Sequence, residues 1–318
     1  MKVGLIGSGF MGKAHAFGFA TAERVFDLPV SFEMDILADA TLDLAEAARA
    51  AFGFQRATEN WRDLISDPSI DIVDITAPNA LHKEMALAAI AAGKHVYCEK
   101  PLAPLACDAL EMAEAAEAAG VKTQVGFNYL MNPMLRLARE MVLAGELGEI
   151  YSYRGVHAED YMSDPAGPYT FRHDPAGGGA LADIGSHALA TAEFLLGPIA
   201  QVMGNSHILI PERRDAAGQR RKIEVMMSRM HFCALTAVSL AVLRQIGARQ
   251  GAVCSMTLKF MDQKARCISA RSGLTSYIFT MPMTNPDNVG FGASKQGRRI
   301  PLMGSFASHP GIRSGLMI

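Results

Sequence analysis

Through the first 125 residues, short apolar runs alternate with stretches in which apolar residues recur every three or four positions. "KVGLIG" has the form of a short buried strand, Phe10 to Arg24 carries a helical period, and "FEMDILAD" is a second strand. "LAEAARAAF" predicts a helix, "IDIVDIT" a strand, "LHKEMALAAIAAG" a helix, "KHVYCE" a strand, "CDALEMAEAAEAAG" a helix and "VKTQVGF" a strand. Strand and helix in alternation predict a doubly wound α/β domain over residues 1–125, a parallel sheet covered on both faces. Ligands of such sheets bind beyond the carboxyl ends of the strands.

The first strand-to-helix turn holds GxGxxG: Gly7, Gly9 and Gly12, with Phe10 and Met11 inside the same cofactor-contacting stretch. Gly7 permits a tight turn, Gly9 lets backbone approach a pyrophosphate, and Gly12 lets the helix pack closely; the helix N-terminus attracts the anion. Asp39 ends the second strand, where a carboxylate accepts a bond from a ribose 2'-hydroxyl and repels a 2'-phosphate, so NAD is favoured over NADP. Its spacing from Gly12 is long, and Asp35, in mid-strand, is the alternative. In "YCEKPLA", Lys100 leaves a strand end before Pro101, which holds it extended, allows a cis bond and aims its ammonium into the strand-end crevice. In "GGGALADIGSH", Asp183 and His187 stand four apart and share one face of a helix. A histidine in the first helical turns has its cation disfavoured by the dipole, leaving a neutral imidazole that can take a proton. Taken alone, such a pair is more often a capping carboxylate and a satisfied core histidine. Lys100 and the dinucleotide turn favour catalysis.

"GLIGSGFMG", "TAPNALH", "CEKPLA", "VGFNY", "GELGEI" and "GGGALADIGSH", in this order, resemble the glucose-fructose oxidoreductase, inositol dehydrogenase and rhizopine catabolism (Gfo/Idh/MocA) family over residues 1 to about 210. The resemblance implies a Rossmann domain followed, over 126–318, by an α+β domain whose large open mixed sheet walls the active site and builds a homo-oligomer interface. It implies that Lys100 orients and polarises a substrate hydroxyl, that Asp183 holds the substrate, and that His187 is the general acid/base. Pro78, Asn79 and His82 would lie in a loop near the cofactor, Glu99 would reach the nicotinamide ribose, and Asn128 would lie near the nicotinamide. Ala190 and Leu130 stand where the family often has an acid and an arginine. The segment 157–175, with His157, Glu159, Asp160, Tyr161, Arg172 and His173, fits a sugar or cyclitol pocket and a solvated loop equally.

Composition adds a frame and one break. Half of the 318 residues are hydrophobic and the net charge is −2, as in an ordinary two-domain chain. The five cysteines show no CxxC spacing, so no metal is expected and a reducing, cytoplasmic location is. Neither a membrane nor nucleic acid is an expected partner; a small sugar or polyol is. Up to Val225 there are 19 basic and 30 acidic residues, net −11; from Met226 onward there are 11 basic residues and two acids, Asp262 and Asp287, net +9. A basic tail can bind nucleic acid, but this one carries apolar runs such as "CALTAVSLAVL". Read one nucleotide out of step, permitted codons from Val225 to Gly247 spell "DDVTHAFLRADGGVTGSIEANW", a strand, an Asp-Gly-Gly turn and a strand. Residues 226–318 are therefore expected to be frame-shifted, leaving the second sheet incomplete or distorted, with an exposed edge and an aggregation-prone chain.

Two functions are consistent with these residues. One is an NAD-dependent oxidation of a secondary alcohol in a sugar, cyclitol or related polyol. The other is a catalytically silent dinucleotide-binding protein, or the inactive product of a shifted frame.

Overall fold

The computed structural model describes residues 1–225 apart from 160 and, beyond them, the backbone of strands 230–235, 240–246, 255–262, 267–273 and 276–280. The first half alternates β1 (Lys2–Ile6), α1 (Phe10–Val25), β2 (Glu33–Ala38), α2 (Leu42–Phe52), β3 (Arg56–Thr58), α3 (Trp61–Ser66), β4 (Ile72–Ile75), α4 (His82–Ala91), β5 (His95–Cys98), α5 (Ala106–Ala119) and β6 (Thr123–Val125). The six strands form one parallel sheet in the order β3-β2-β1-β4-β5-β6. Strand order reverses between β1 and β4, which opens a crevice beyond their carboxyl ends.

Successive strand residues point to opposite faces, and both faces are apolar. Ile6, Ile36, Val73, Ile75 and Val96 pack with Met85, Ala89 and Met112 on one side. Leu5 and Leu37 pack with Ala16, Ala45, Ala48 and Phe54 on the other. Local signals set several helix ends: the Thr41 side chain accepts from Leu44 N ahead of α2, which stops at Gly53 with φ 83°. The short elements β3 and α3 escape the hydrophobic period because neither is long enough to show one.

After α6 (Pro133–Leu143) come β7 (Ile150–Ala158), α7 (Ser186–Leu196), β8 (Gln201–Ser206) and a hairpin of β9 (Glu212–Arg214) and β10 (Arg220–Lys222). β11 (Met230–Leu235), β12 (Leu240–Ile246), β13 (Ser255–Asp262), β14 (Cys267–Gly273) and β15 (Ser276–Thr280) complete a seven-stranded sheet ordered β15-β14-β13-β7-β12-β11-β8. β7 and β12 are parallel and the other pairs antiparallel, the mixed sheet that the resemblance implies. Five of its strands come from beyond Val225; their side chains lie outside the described residues. β11 and β12 pair antiparallel with Leu235 opposite Leu240, within the stretch where the shifted reading places a hairpin. On β7 the period of two turns Tyr153, Gly155 and His157 inward, and Tyr153 packs with Leu135, Ala138, Ala192 and Leu195 of α6 and α7. Residues 1–281 form one compact unit. No helix among the described residues is long and apolar enough to cross a membrane.

Candidate active site

The dinucleotide turn joins β1 to α1. Gly7 has φ 98°, and a Cβ there would lie 3.0 Å from the Thr76 backbone; a Cβ on Gly12 would lie 2.2 Å from the Gly7 carbonyl oxygen. Gly9, the N-cap of α1, has no side-chain cap, and a Cβ on it would meet nothing within 4 Å. Gly7 and Gly12 thus hold the turn tight while Gly9 leaves an open approach to the uncapped amides of the first helical turn, an arrangement that fits a pyrophosphate. Phe10 is 86% exposed beside it, and Met11 is half-buried. Asp39, just past β2, accepts from the backbone N and the hydroxyl of Ser8, the former at 2.8 Å, which fixes a carboxylate against the turn between β1 and α1. Asp35 is buried in mid-strand and neutralised by Lys2 (2.7 Å) and Arg56 (Nε, 2.7 Å), so it serves the sheet and is closed to a ligand.

The loop after β4 packs toward the second domain. Asn79 Nδ2 donates to the Gly177 carbonyl at 3.1 Å. His82 is fully buried, with ring nitrogens 3.0 Å from the Pro101 carbonyl and 2.8 Å from the Ala77 carbonyl, bracing two crevice loops together. Pro78 and Asn128 are exposed, Asn128 opening a single 3-10 turn after β6. Glu99 is buried: its Oε2 accepts from Lys100 N at 2.9 Å, and its Oε1 lies 3.0 Å from His15 Nε2.

His15 was not marked by any motif. It stands on α1 between two carboxylates, with Nδ1 2.9 Å from Asp74 Oδ1, and its ring stacks on Tyr97 at 4.7 Å. Burial works against its charge, but the hydrogen bonds from Asp74 and Glu99 outweigh that and raise its pKa to about 10. The signal was present in "IVDI": an acid inside an apolar strand requires a buried partner.

Lys100 precedes Pro101 through a cis peptide bond. Its Nζ donates to the Asp183 carbonyl at 2.6 Å and lies 3.2 Å from Asp183 Oδ1. Asp183 Oδ2 accepts from Arg172 Nε at 2.8 Å and from the Tyr161 hydroxyl. Burial pushes the Asp183 carboxyl up, but Lys100 and Arg172 outweigh it and hold the pKa below the usual value. Asp183 lies in a π-helical turn, Leu181–Gly185, that runs straight into α7. His187, the second residue of α7, is buried, with its ring edge-on to Tyr129 at 4.7 Å and Phe127 at 5.9 Å. Its pKa falls to about 2, first through burial, then through the Lys100 ammonium and His157, with Asp183 pulling the other way. Its neutral form follows from burial and a neighbouring cation, where the sequence suggested the helix dipole. Lys100, Asp183 and His187 therefore converge on one crevice.

The segment after β7 is part of this crevice. Tyr161 and Arg172 reach Asp183, and His157 and His173 are buried; Asp160 lies outside the described residues. Arg213, buried on β9, donates to the carbonyls of Met162 (2.9 Å), Asp164 (2.7 Å) and Gly167 (2.8 Å) and so pins the loop that carries Tyr161. No motif pointed to it.

Residues 1–127 match the oxidoreductase family with an NAD-binding Rossmann fold, GFO/IDH/MocA, and residues 135–258 match the GFO/IDH/MocA C-terminal domain. A levoglucosan dehydrogenase structure in complex with NADH and L-sorbose is 32% identical with a TM-score of 0.81, over 90% of this chain and 80% of that one. The chain belongs to the Gfo/Idh/MocA family. An NAD binding oxidoreductase from Klebsiella pneumoniae is 36% identical with a TM-score of 0.79, over 88% of this chain and 79% of that one. Levoglucosan dehydrogenase of Pseudarthrobacter phenanthrenivorans is 40% identical over 221 residues, 69% of this chain and 57% of that protein. 1,5-Anhydro-D-fructose reductase of Ensifer adhaerens is 36% identical over 144 residues, 45% of this chain and 43% of that protein. The chain thus spans about half the length of the curated relatives it matches. The C-terminal match runs past Val225 to residue 258, further than the family motifs in the sequence reach.

Proposed function

We propose that the chain is an NAD-dependent dehydrogenase that oxidises a secondary hydroxyl of a small sugar or polyol. The observation that carries this reading is the meeting of a lysine ammonium, a carboxylate and a neutral imidazole beside a dinucleotide turn. Bound NAD supplies the hydride acceptor. The remaining work falls to the chain. Gly9 and the amides of α1 hold the pyrophosphate, and Asp39 holds the adenine-side ribose. Lys100 donates to the substrate oxygen and stabilises the charge that grows on it as the proton leaves, while His187 takes that proton. Asp183 fixes Lys100 and accepts a bond from a neighbouring substrate hydroxyl. Lys100 and Arg172 both already face Asp183, which favours an uncharged polyol over a sugar phosphate.

The test is NADH formation with levoglucosan, inositols and aldoses. Turnover with at least one uncharged member supports the reading, and cofactor binding without turnover on any of them overturns it. A second reading, a silent dinucleotide-binding protein, draws on the charge break after Val225.

A further inference from the structure

Besides His173 Nε2, two buried ring nitrogens of the site, His187 Nδ1 and His157 Nδ1, have no hydrogen-bond partner among the described residues. Their rings face each other across 5.7 Å between centroids, tilted by 45°. Tyr129 lies edge-on to both, 5.3 Å from His157 and 4.7 Å from His187. The other nitrogen of His157, Nε2, lies 3.1 Å from Glu159 Oε1. An ionised carboxylate only accepts, so this nitrogen carries the hydrogen and His157 Nδ1 is left with its lone pair pointing into the buried space. The two nitrogens are not hydrogen-bonded to each other as they stand; facing lone pairs would keep them apart, whereas an N–H on His187 lets the rings pair when they turn toward each other.

We propose that His157 and Glu159 are positioning residues that set the tautomer of His187. Glu159 accepts from His157 Nε2, and His157 Nδ1 accepts from His187 Nδ1 after a small rotation of the two rings toward each other. The lone pair of His187 is thereby confined to Nε2, the nitrogen that meets the substrate hydroxyl. On oxidation the hydroxyl proton moves to Nε2, no bond within the chain breaks, and the imidazolium formed is balanced by the Glu159 carboxylate at the far end, which is 21% exposed. Among the described residues the ionisable groups around His187 are Lys100, Asp183, His157 and Tyr129, and of these His157 presents an unused acceptor to Nδ1. The inference rests on the reading of His187 as the base.

The test is the imidazole 15N spectrum of the whole chain at neutral pH, assigned with His187→Asn and His157→Asn. The expected result is hydrogen on Nδ1 of His187 and on Nε2 of His157. Hydrogen on Nε2 of His187, or on Nδ1 of His157, overturns the proposal whether or not the chain turns over a sugar. Glu159→Gln offers His157 a donor as well as an acceptor and lies at the accessible end of the pair. It is expected to give mixed tautomers at both rings and to lower kcat about 10- to 100-fold, with KM and NAD affinity unchanged. Unchanged tautomers in that variant also overturn the proposal. Turnover by a chain with the opposite tautomers removes this inference and leaves the dehydrogenase reading intact; the expected tautomers in a chain without turnover do the reverse.

Discussion

Asp183 divides its two carboxylate oxygens among Lys100, Arg172 and Tyr161, so removing Lys100 leaves the carboxylate still paired. Lys100→Ala is therefore expected to abolish turnover while sparing NAD affinity, measured by cofactor titration; loss of both together would mean that Lys100 serves the cofactor. Two of the buried histidines, His187 and His15, act on stability with opposite signs. His187, with its pKa lowered from 6.5 to about 2, contributes stability that is complete above pH 6.5 and is lost as pH falls from there toward 2. His15, raised to about 10, contributes stability that is complete below pH 6.5 and is lost as pH rises through 10. His15→Leu leaves Asp74 and Glu99 buried without their cation, which costs about 3–5 kcal/mol in urea unfolding at neutral pH, and it flattens the alkaline arm of the stability profile. Motif spacing located Lys100, Asp183 and His187, because each belongs to a local pattern. His15, Tyr161, Arg172 and Arg213 act through partners 11 to 84 residues away, which no local pattern encodes.

At the scale of elements, the turn between β1 and α1 separates packing from binding. Gly12→Ala sets a methyl group against the Gly7 carbonyl and is expected to lower both the melting temperature and NAD affinity. Gly9→Ala meets no protein atom, so it should leave the melting temperature unchanged and weaken NAD binding alone. Equal effects of the two on melting would show that Gly9 is a packing residue. The longer strands and helices of the first half were legible because their apolar residues keep a period of 2 or 3.6, or run unbroken where a strand is covered on both faces. β3, at three residues, and the π-turn around Asp183 were not, since neither spans enough chain to establish a period.

For the whole molecule, the charge break after Val225 remains the feature that no folding argument accounts for. We propose that the frame slips there. DNA sequence across codons 220 to 230, with an intact mass of the protein, tests it: an unbroken frame and a mass matching this amino-acid sequence would end the proposal. If this sequence is the one made, size-exclusion chromatography is expected to show aggregated material where an intact sheet would give a discrete oligomer. The order of the second sheet bears on this in time as well as in space. β7 carries His157, yet its two neighbours, β12 and β13, are made long after it. A nascent chain leaving the ribosome can close its nucleotide-binding half early, but β7 must wait with both edges open until β12 and β13 have been translated. Any error in the codons of β12 or β13 therefore reaches back to a strand that lines the catalytic crevice.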